Sequence, residues 1–328
     1  MSEQNTSRIT FIDYAKTMCI FLMIVGHWTT SDILLSYIYS FHMPVLFVVS
    51  GYLYRPHSWI KTIIGFSIPV VFFSLVNLAV NILLGNISIY SLSIRFIAVH
   101  VINWRHGLGE GLFNGLWFIY ALVGIRLLFG DISGKKLSRI YYVPLAIIII
   151  VYMALEKYHA SIDTLFRGYY IGTIIPSLPF FCLGIFLKDK QWHPKHLDSA
   201  KYIIPSVILF LIMPATNNYC DIYNSQYGHS YLIAAVNAWI LSLLLFVLTN
   251  RLPPSKYVET ISKGTLIVLG THMPILHILD HFLPKMLSFL FPIITIVVCY
   301  YLIIFCERYC PILLGKWKYI SFAKNCIS

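Results

Sequence analysis

The sequence predicts an all-α fold: a polytopic membrane helix bundle of about ten transmembrane helices with both termini in the cytoplasm. Three observations carry that expectation. Of the 328 residues, 58% are hydrophobic and only 11% charged, against about 25% charged in a soluble domain. The mean hydropathy is +0.76, and the deficit of charge extends along the whole chain rather than gathering in one anchor. The apolar runs lack the period-2 alternation of a membrane barrel strand, which leaves helices as the spanning element.

Taken in order, the runs place spans at 13–30, 33–53, 60–84, 115–130, 140–156, 169–187, 201–216, 229–250, 263–282 and 286–306. Their lengths suit tilted helices across a hydrocarbon core of about 30 Å. The first is an apolar run that carries Asp13, Lys16 and His27. The second contains Pro44, which frees a backbone carbonyl and allows a kink, and Ser50-Gly51, which permits close helix approach. Residues 87–101 hold Arg95 and several serines, and read as an interfacial or re-entrant segment. The outer loop 85–114 is the longest polar segment and suits a lid. With no Gly/Ser or Pro-rich tether, residues 1–328 read as a single domain, without an internal repeat or a cleavable signal peptide.

The charges orient these spans. With the N-terminus inside, 18 of the 24 Lys and Arg residues fall on inner segments and five outside, while Arg126 lies within a span. That bias is the positive-inside pattern, and an extra span at 87–101 would reverse it for most of the later charge. The net charge of +11 therefore reads as topology. No cluster of basic and stacking aromatic residues suggests nucleic acid. Anionic membrane lipid is a natural neighbour of the inner loops. The seven cysteines form no Cys-x-x-Cys pair, so neither zinc nor a disulfide framework is expected. His277 and His281, one helical turn apart with Asp280, are a weak metal motif, and no metal site is expected from them.

The residues able to do chemistry concentrate in the first span. Eleven residues separate Lys16 from His27, close to three helical turns, so the two share a face roughly 20° apart and roughly 16 Å apart along the axis. Asp13 shares that face. Ionisable groups inside a membrane helix are costly, and by default functional. A neutral imidazole can take a proton from a hydroxyl, and a lysine can meet a phosphate as a point charge. Lys16 would serve equally as a topology anchor, and His27 as an interhelical donor. His42 lies near mid-membrane, as a site residue or a satisfied donor. Arg55 emerges on the inner side beyond Ser50. Trp117 suits sugar stacking or an aromatic belt, and Glu110 in the outer loop suits sugar hydroxyls or plain solvation.

Four blocks, in order, resemble the membrane acyltransferase 3 family. They are Asp13-Tyr-Ala-Lys16 leading to Gly26-His27; Phe41-His-Met-Pro-Val-Leu-Phe-Val-Val-Ser-Gly-Tyr52; Leu116-Trp-Phe-Ile119; and Ile261-Ser-Lys-Gly-Thr-Leu-Ile-Val-Leu-Gly-Thr-His272. The branch it looks most like contains sugar O-acetylases related to fucose 4-O-acetylase. The resemblance implies a ten-helix O-acetyltransferase that moves acetyl from cytoplasmic acetyl-CoA to a hydroxyl of a surface or lipid-linked polysaccharide, in a bacterial inner or plasma membrane.

On that resemblance His27 is the catalytic histidine; Asp13, grouped with it as catalytic, would orient Lys16 one turn away. Lys16, Arg55 and Ser50 contact the donor, with Lys16 standing where the family usually has arginine, which alone makes a bidentate phosphate contact. His42, Trp117, Glu110 and His272 are substrate-side candidates. No permanently bound cofactor is implied, only acetyl-CoA as donor substrate, a glycan acceptor and membrane lipid as partners. The rival expectation is a transporter of a glycan or small anion that performs no acyl chemistry, since intramembrane His and Lys also suit proton-coupled transport.

Overall fold

The computed structural model describes residues 9–56, 58–94, 96–97, 115–129, 146–148, 150–152, 154–155, 171–217 and 221–315. Among these, the regular elements are helical, apart from a single antiparallel bridge between Asp221 and Gln226. The α-helices are α1 (Thr10–Trp28), α2 (Asp32–Tyr39), α3 (His42–Tyr52), α4 (Trp59–Leu83), α5 (Trp117–Phe129) and α6 (Ile171–Asp189). They continue as α7 (Ala200–Asn217), α8 (Tyr231–Thr249), α9 (Lys256–Lys263), α10 (Thr265–Phe282) and α11 (Phe291–Tyr309). Serine caps open several of them: Ser31 accepts from the Leu34 amide, Ser58 from Lys61 and Ser230 from Leu232, relieving donors that a helix start leaves unpaired. Residues 146–148, 150–152 and 154 are helical inside the expected 140–156 span; the rest of that span, most of the 85–114 loop and Glu110 lie outside the described residues.

One of the expected spans proves to be broken. The 33–53 run is two helices, α2 and α3, interrupted at Ser40 and Phe41. The Ser40 hydroxyl turns back onto the Tyr37 carbonyl at 2.5 Å. Pro44 sits in the first turn of α3, where a missing amide costs nothing, so the break lies ahead of the proline rather than at it. The 263–282 run is the single helix α10, separated by Gly264 from the amphipathic helix α9 ahead of it.

Among the described residues, five stretches are long and apolar enough to cross a membrane: Asp32–Tyr52, Trp59–Leu83, Gly172–Asp189, Tyr231–Thr249 and Lys285–Tyr309. Their surfaces are inverted relative to those of a soluble bundle. Ile293, Val297, Tyr301 and Phe305 expose one face of α11, and Ile204, Ile208 and Leu211 one face of α7. Asn77, Asn81 and Asn237 are buried instead, and Asn81 donates to the Asn77 amide oxygen at 2.8 Å. Apolar outside and polar inside is the arrangement that a lipid solvent favours.

Helix α1 is the hub. It packs against α3, α8, α9, α10 and α11, and Ala15, Cys19, Ile20, Met23 and Ile24 along it are buried. Its polar residues therefore face protein, which explains why a helix of lower hydropathy is tolerated here. It runs antiparallel to α3: the Phe11 and Tyr52 rings meet at 6.1 Å at one end, and Met23 and His27 meet His42 and Met43 at the other.

Helices α3 and α6 form the most extensive described pairing. They run parallel, with Val48 against Gly184 and Gly51 against Phe181 and Ile185. A Cβ at Gly51 would fall inside the Phe181 carbonyl oxygen, and one at Gly184 inside that of Val48. The absence of both side chains is what brings the two backbones together.

Candidate functional site

The two ends of α1 carry different polar assemblies. At its start, Asp13 and Lys16 both fasten onto α9. The Ser262 hydroxyl donates to the Asp13 carboxylate at 2.6 Å, and Lys16 Nζ donates to the Ser262 carbonyl at 2.7 Å. Lys16 thereby meets a carbonyl of the last turn of α9, where the helix dipole favours a cation. Thr17 donates to the Val258 carbonyl at 3.1 Å and Tyr14 to that of Pro253 at 2.8 Å. One serine thus joins Asp13 to Lys16, a residue that sequence reading quoted within a block but gave no role.

At its other end, α1 delivers His27 to a cavity of about 240 Å³ lined by Met23, His27, Tyr39, His42, Met43, Trp117 and the segment Asp221–Asn224. His27 and His42 are brought together there, with Trp117 beside them. His42 is 3% exposed, and its Nδ1 lies 2.7 Å from the Ile38 carbonyl. In the neutral ring that nitrogen is the donor, leaving Nε2 as the acceptor. The Tyr39 ring stands edge-on to His42 at 5.1 Å. Trp117 is buried, packs on Phe47 at 6.5 Å and tilts toward Tyr223 at 5.6 Å.

His272 approaches His27 from α10, with ring centroids 5.3 Å apart. It is fully buried, with Nδ1 at 2.9 Å from the Val268 carbonyl, while among the described residues Nε2 has no hydrogen-bond partner. Gly115 makes room for it: at φ +69° a side chain is disfavoured, and a Cβ there would lie 2.6 Å from His272 Cε1.

The segment over the cavity was not anticipated. The Asp221 carboxylate accepts from the backbone amides of Tyr223 (2.8 Å) and Asn224 (3.2 Å) and from Asn224 Nδ2 (2.6 Å). Asn217 holds the far side, donating to the Tyr227 carbonyl at 2.9 Å. The legible signal was the polar run Asn217–Asn224 between two apolar helices. A second cavity, of about 720 Å³, also has His27 in its lining, with Trp28, Thr29, Asp280, Lys285, Phe289 and Pro292 among the others. His27 therefore lines both an aromatic cavity and a wider one of mixed polar and apolar lining.

Ser50 and Arg55 lie elsewhere. The Ser50 hydroxyl donates to the Leu46 carbonyl of its own helix at 2.7 Å. Arg55 is exposed beyond the end of α3, at the same end of the bundle as Phe11 and remote from His27. Between the two ends, Ile20 fills the Lys16–Met23 stretch of the stripe and is fully buried. Among the described residues, no group of three or more His, Cys, Asp or Glu side chains is placed to hold a metal ion.

What this arrangement can do is proton transfer: a histidine that lines two cavities can take a proton from a hydroxyl and return it to a leaving group. The family model described as an acyltransferase domain matches residues 9–308, which takes in both ends of α1, α3, Trp117 and His272. Neither a curated protein nor a solved structure matches the chain. With a family match that spans the hub helix, the cavity and the apolar helices around them, the chain belongs to the acyltransferase 3 family of membrane acyltransferases.

Proposed function

We propose that the protein is an O-acetyltransferase that moves acetyl from cytoplasmic acetyl-CoA to a hydroxyl of a surface or lipid-linked polysaccharide. The observation that supports this most is that His27 lines two cavities, an aromatic one and a wider one of mixed lining. We read residues 1–328 as one domain of ten spans, with both termini cytoplasmic, in a bacterial inner or plasma membrane. Eighteen of 24 basic residues on inner segments support that orientation.

In this reading the pantetheine arm enters from the Lys16 end and displaces side chains along the α1 stripe, to present its thioester over Met23. The acceptor hydroxyl arrives from the wider cavity, past Thr29, Asp280 and Lys285. His27 removes the hydroxyl proton as the oxygen attacks the thioester carbonyl. The tetrahedral intermediate collapses with cleavage of the C–S bond, and the imidazolium returns the proton to the departing thiolate. An acyl-imidazole route would use the same ring as nucleophile instead. His42 and Trp117 form the wall against which the acetyl group and sugar ring pack.

The acceptor class is tested by mass spectrometry of surface glycans from cells with and without the protein. The expected result is a mass difference of one acetyl group per modified repeat. Identical glycans, in cells where the protein accumulates in the membrane, would contradict the polysaccharide assignment.

A further inference from the structure

Helix α7 packs chiefly on α8 and α2, and it leaves Ile204, Ile208 and Leu211 exposed. The α7–α8 pair is antiparallel and tied at both ends. At one end the Ser230 amide donates to the Asn217 side-chain oxygen at 3.3 Å. At the other, Arg251 forms an ion pair with Asp198. The contacts of α2 fall on the half of α7 nearer Asn217. There the Tyr37 hydroxyl donates to the Leu211 carbonyl at 2.8 Å, and the Tyr37 and Phe41 rings meet Phe210 at 5.0 and 6.0 Å. Past the break at Ser40 and Phe41 the chain continues as α3, which packs chiefly on α6 and α1.

The half of the pair that α2 leaves uncovered holds a groove of about 290 Å³. It runs from Leu197 and Lys201 to Leu209 and Ile240, with Leu244 and Val247 along α8. From Lys201 to Leu209 the helix rises about 12 Å, against about 15 Å for one leaflet's share of the hydrocarbon core. The lining is aliphatic apart from Lys201, Tyr202 and Ser206, and the Ser206 hydroxyl is engaged by the Tyr202 carbonyl at 2.8 Å. The Lys201 ammonium lies 4.8 Å from the Tyr202 ring centroid. Among the described residues no carboxylate is within ion-pair distance of it, and Asp198, the acid nearest in sequence, is held by Arg251. Lys195 is a further exposed cation just ahead of the helix.

We infer that this groove binds one acyl chain of an anionic phospholipid, with the headgroup phosphate at Lys201. The lipid belongs to the leaflet at the Lys201 end, the inner one in the orientation read above; the acyl-transfer chemistry does not enter. The groove is as long as most of one leaflet's hydrocarbon and carries its cation at the headgroup end, so an inner-leaflet lipid matches it in both length and charge. Any chain satisfies the leucine and isoleucine surface, since lipid tails are as apolar as those side chains. Selection therefore comes from the ammonium, which attracts an anionic headgroup.

The test uses the full-length protein in nanodiscs of phosphatidylcholine and phosphatidylglycerol, each lipid in turn carrying a photoreactive diazirine in one chain. Labelled peptides are mapped in the native protein, Lys201→Gln and Leu244→Trp, and retained lipid is read by native mass spectrometry. The lipid-facing side of α11 at Ile293, Val297 and Tyr301 is the bulk-lipid reference. The expected result is that phosphatidylglycerol labels 197–209 and 240–247 several-fold more than α11. Lys201→Gln is expected to lower the preference for phosphatidylglycerol over phosphatidylcholine about fivefold, and Leu244→Trp to remove the groove label for both lipids. If Leu244→Trp does not accumulate, Leu209→Trp fills the groove from the α7 side. Groove labelling no stronger than that of α11 overturns the site. Equal labelling by the two lipids, or an unchanged ratio in Lys201→Gln, overturns the anionic assignment. An unlabelled groove in a protein of twice the chain's mass gives the groove to a second copy, and a retained isoprenoid phosphate gives it to a lipid-linked glycan carrier; either result overturns the phospholipid. No acyl donor is present in any arm, so failure of the acyltransferase reading leaves these outcomes unchanged.

Discussion

Replacing His27 with alanine is expected to lower acetyl transfer by about a thousandfold or more, within the range that a positioned general base contributes, without loss of the fold. The ring borders two cavities, so its removal merges space that already exists instead of opening a hole in packed core. Neighbouring histidines behave differently. His272 is fully buried against Gly115, and its alanine variant is expected to lose about 2–4 kcal/mol of stability, as large-to-small core changes do. Comparing activity with melting temperature across His27→Ala and His272→Ala separates chemistry from packing. A His27→Ala protein that accumulates normally and still transfers acetyl at the native rate contradicts the assignment.

Placing valine at position 184 is expected to be among the most damaging single changes, at about 4 kcal/mol or beyond. Gly184 and Gly51 lie where α3 and α6 touch backbone to backbone, and a Cβ at 184 would overlap the Val48 carbonyl oxygen and come within 2.6 Å of the Tyr52 amide nitrogen. Neither contact is with a flexible side-chain tip that could swing away. The helices must separate, and α3 carries His42 at its start, so the cavity moves with it. The measurement is folded protein recovered from membranes by size-exclusion chromatography after solubilisation, native against Gly184→Val. Recovery equal to native would show that the seam is looser than its geometry requires.

Hydropathy was enough to place most of the described long helices within a few residues, and helical spacing set Asp13, Lys16 and His27 on one face of the first of them. Both are local properties, carried by spacing along the chain. Ser50-Gly51 likewise signalled close approach, though not that Gly184 supplies the other half. What was hidden depends on distant residues meeting. Ser262 lies 249 positions from Asp13, yet its hydroxyl and carbonyl hold both polar groups at the start of α1. The Asp221–Asn224 segment read as a connection between spans, because nothing in a polar run states which cavity it covers. The break at Ser40 and Phe41 went unseen because the nearby proline was the stronger sequence signal, although a proline in the first turn interrupts no hydrogen bond.

The central claim is thioester chemistry at His27, and the most direct measurement is release of free thiol from acetyl-CoA by the purified protein in detergent. The assay supplies a solubilised glycan acceptor, with folded His27→Ala protein as the comparison. The account predicts steady thiol release by the native protein, matched by acetyl appearing on the acceptor, and a rate near background for His27→Ala. Equal release by the two proteins would contradict it, as would an intact thioester after incubation with native protein and a transferable hydroxyl, the behaviour of a transporter.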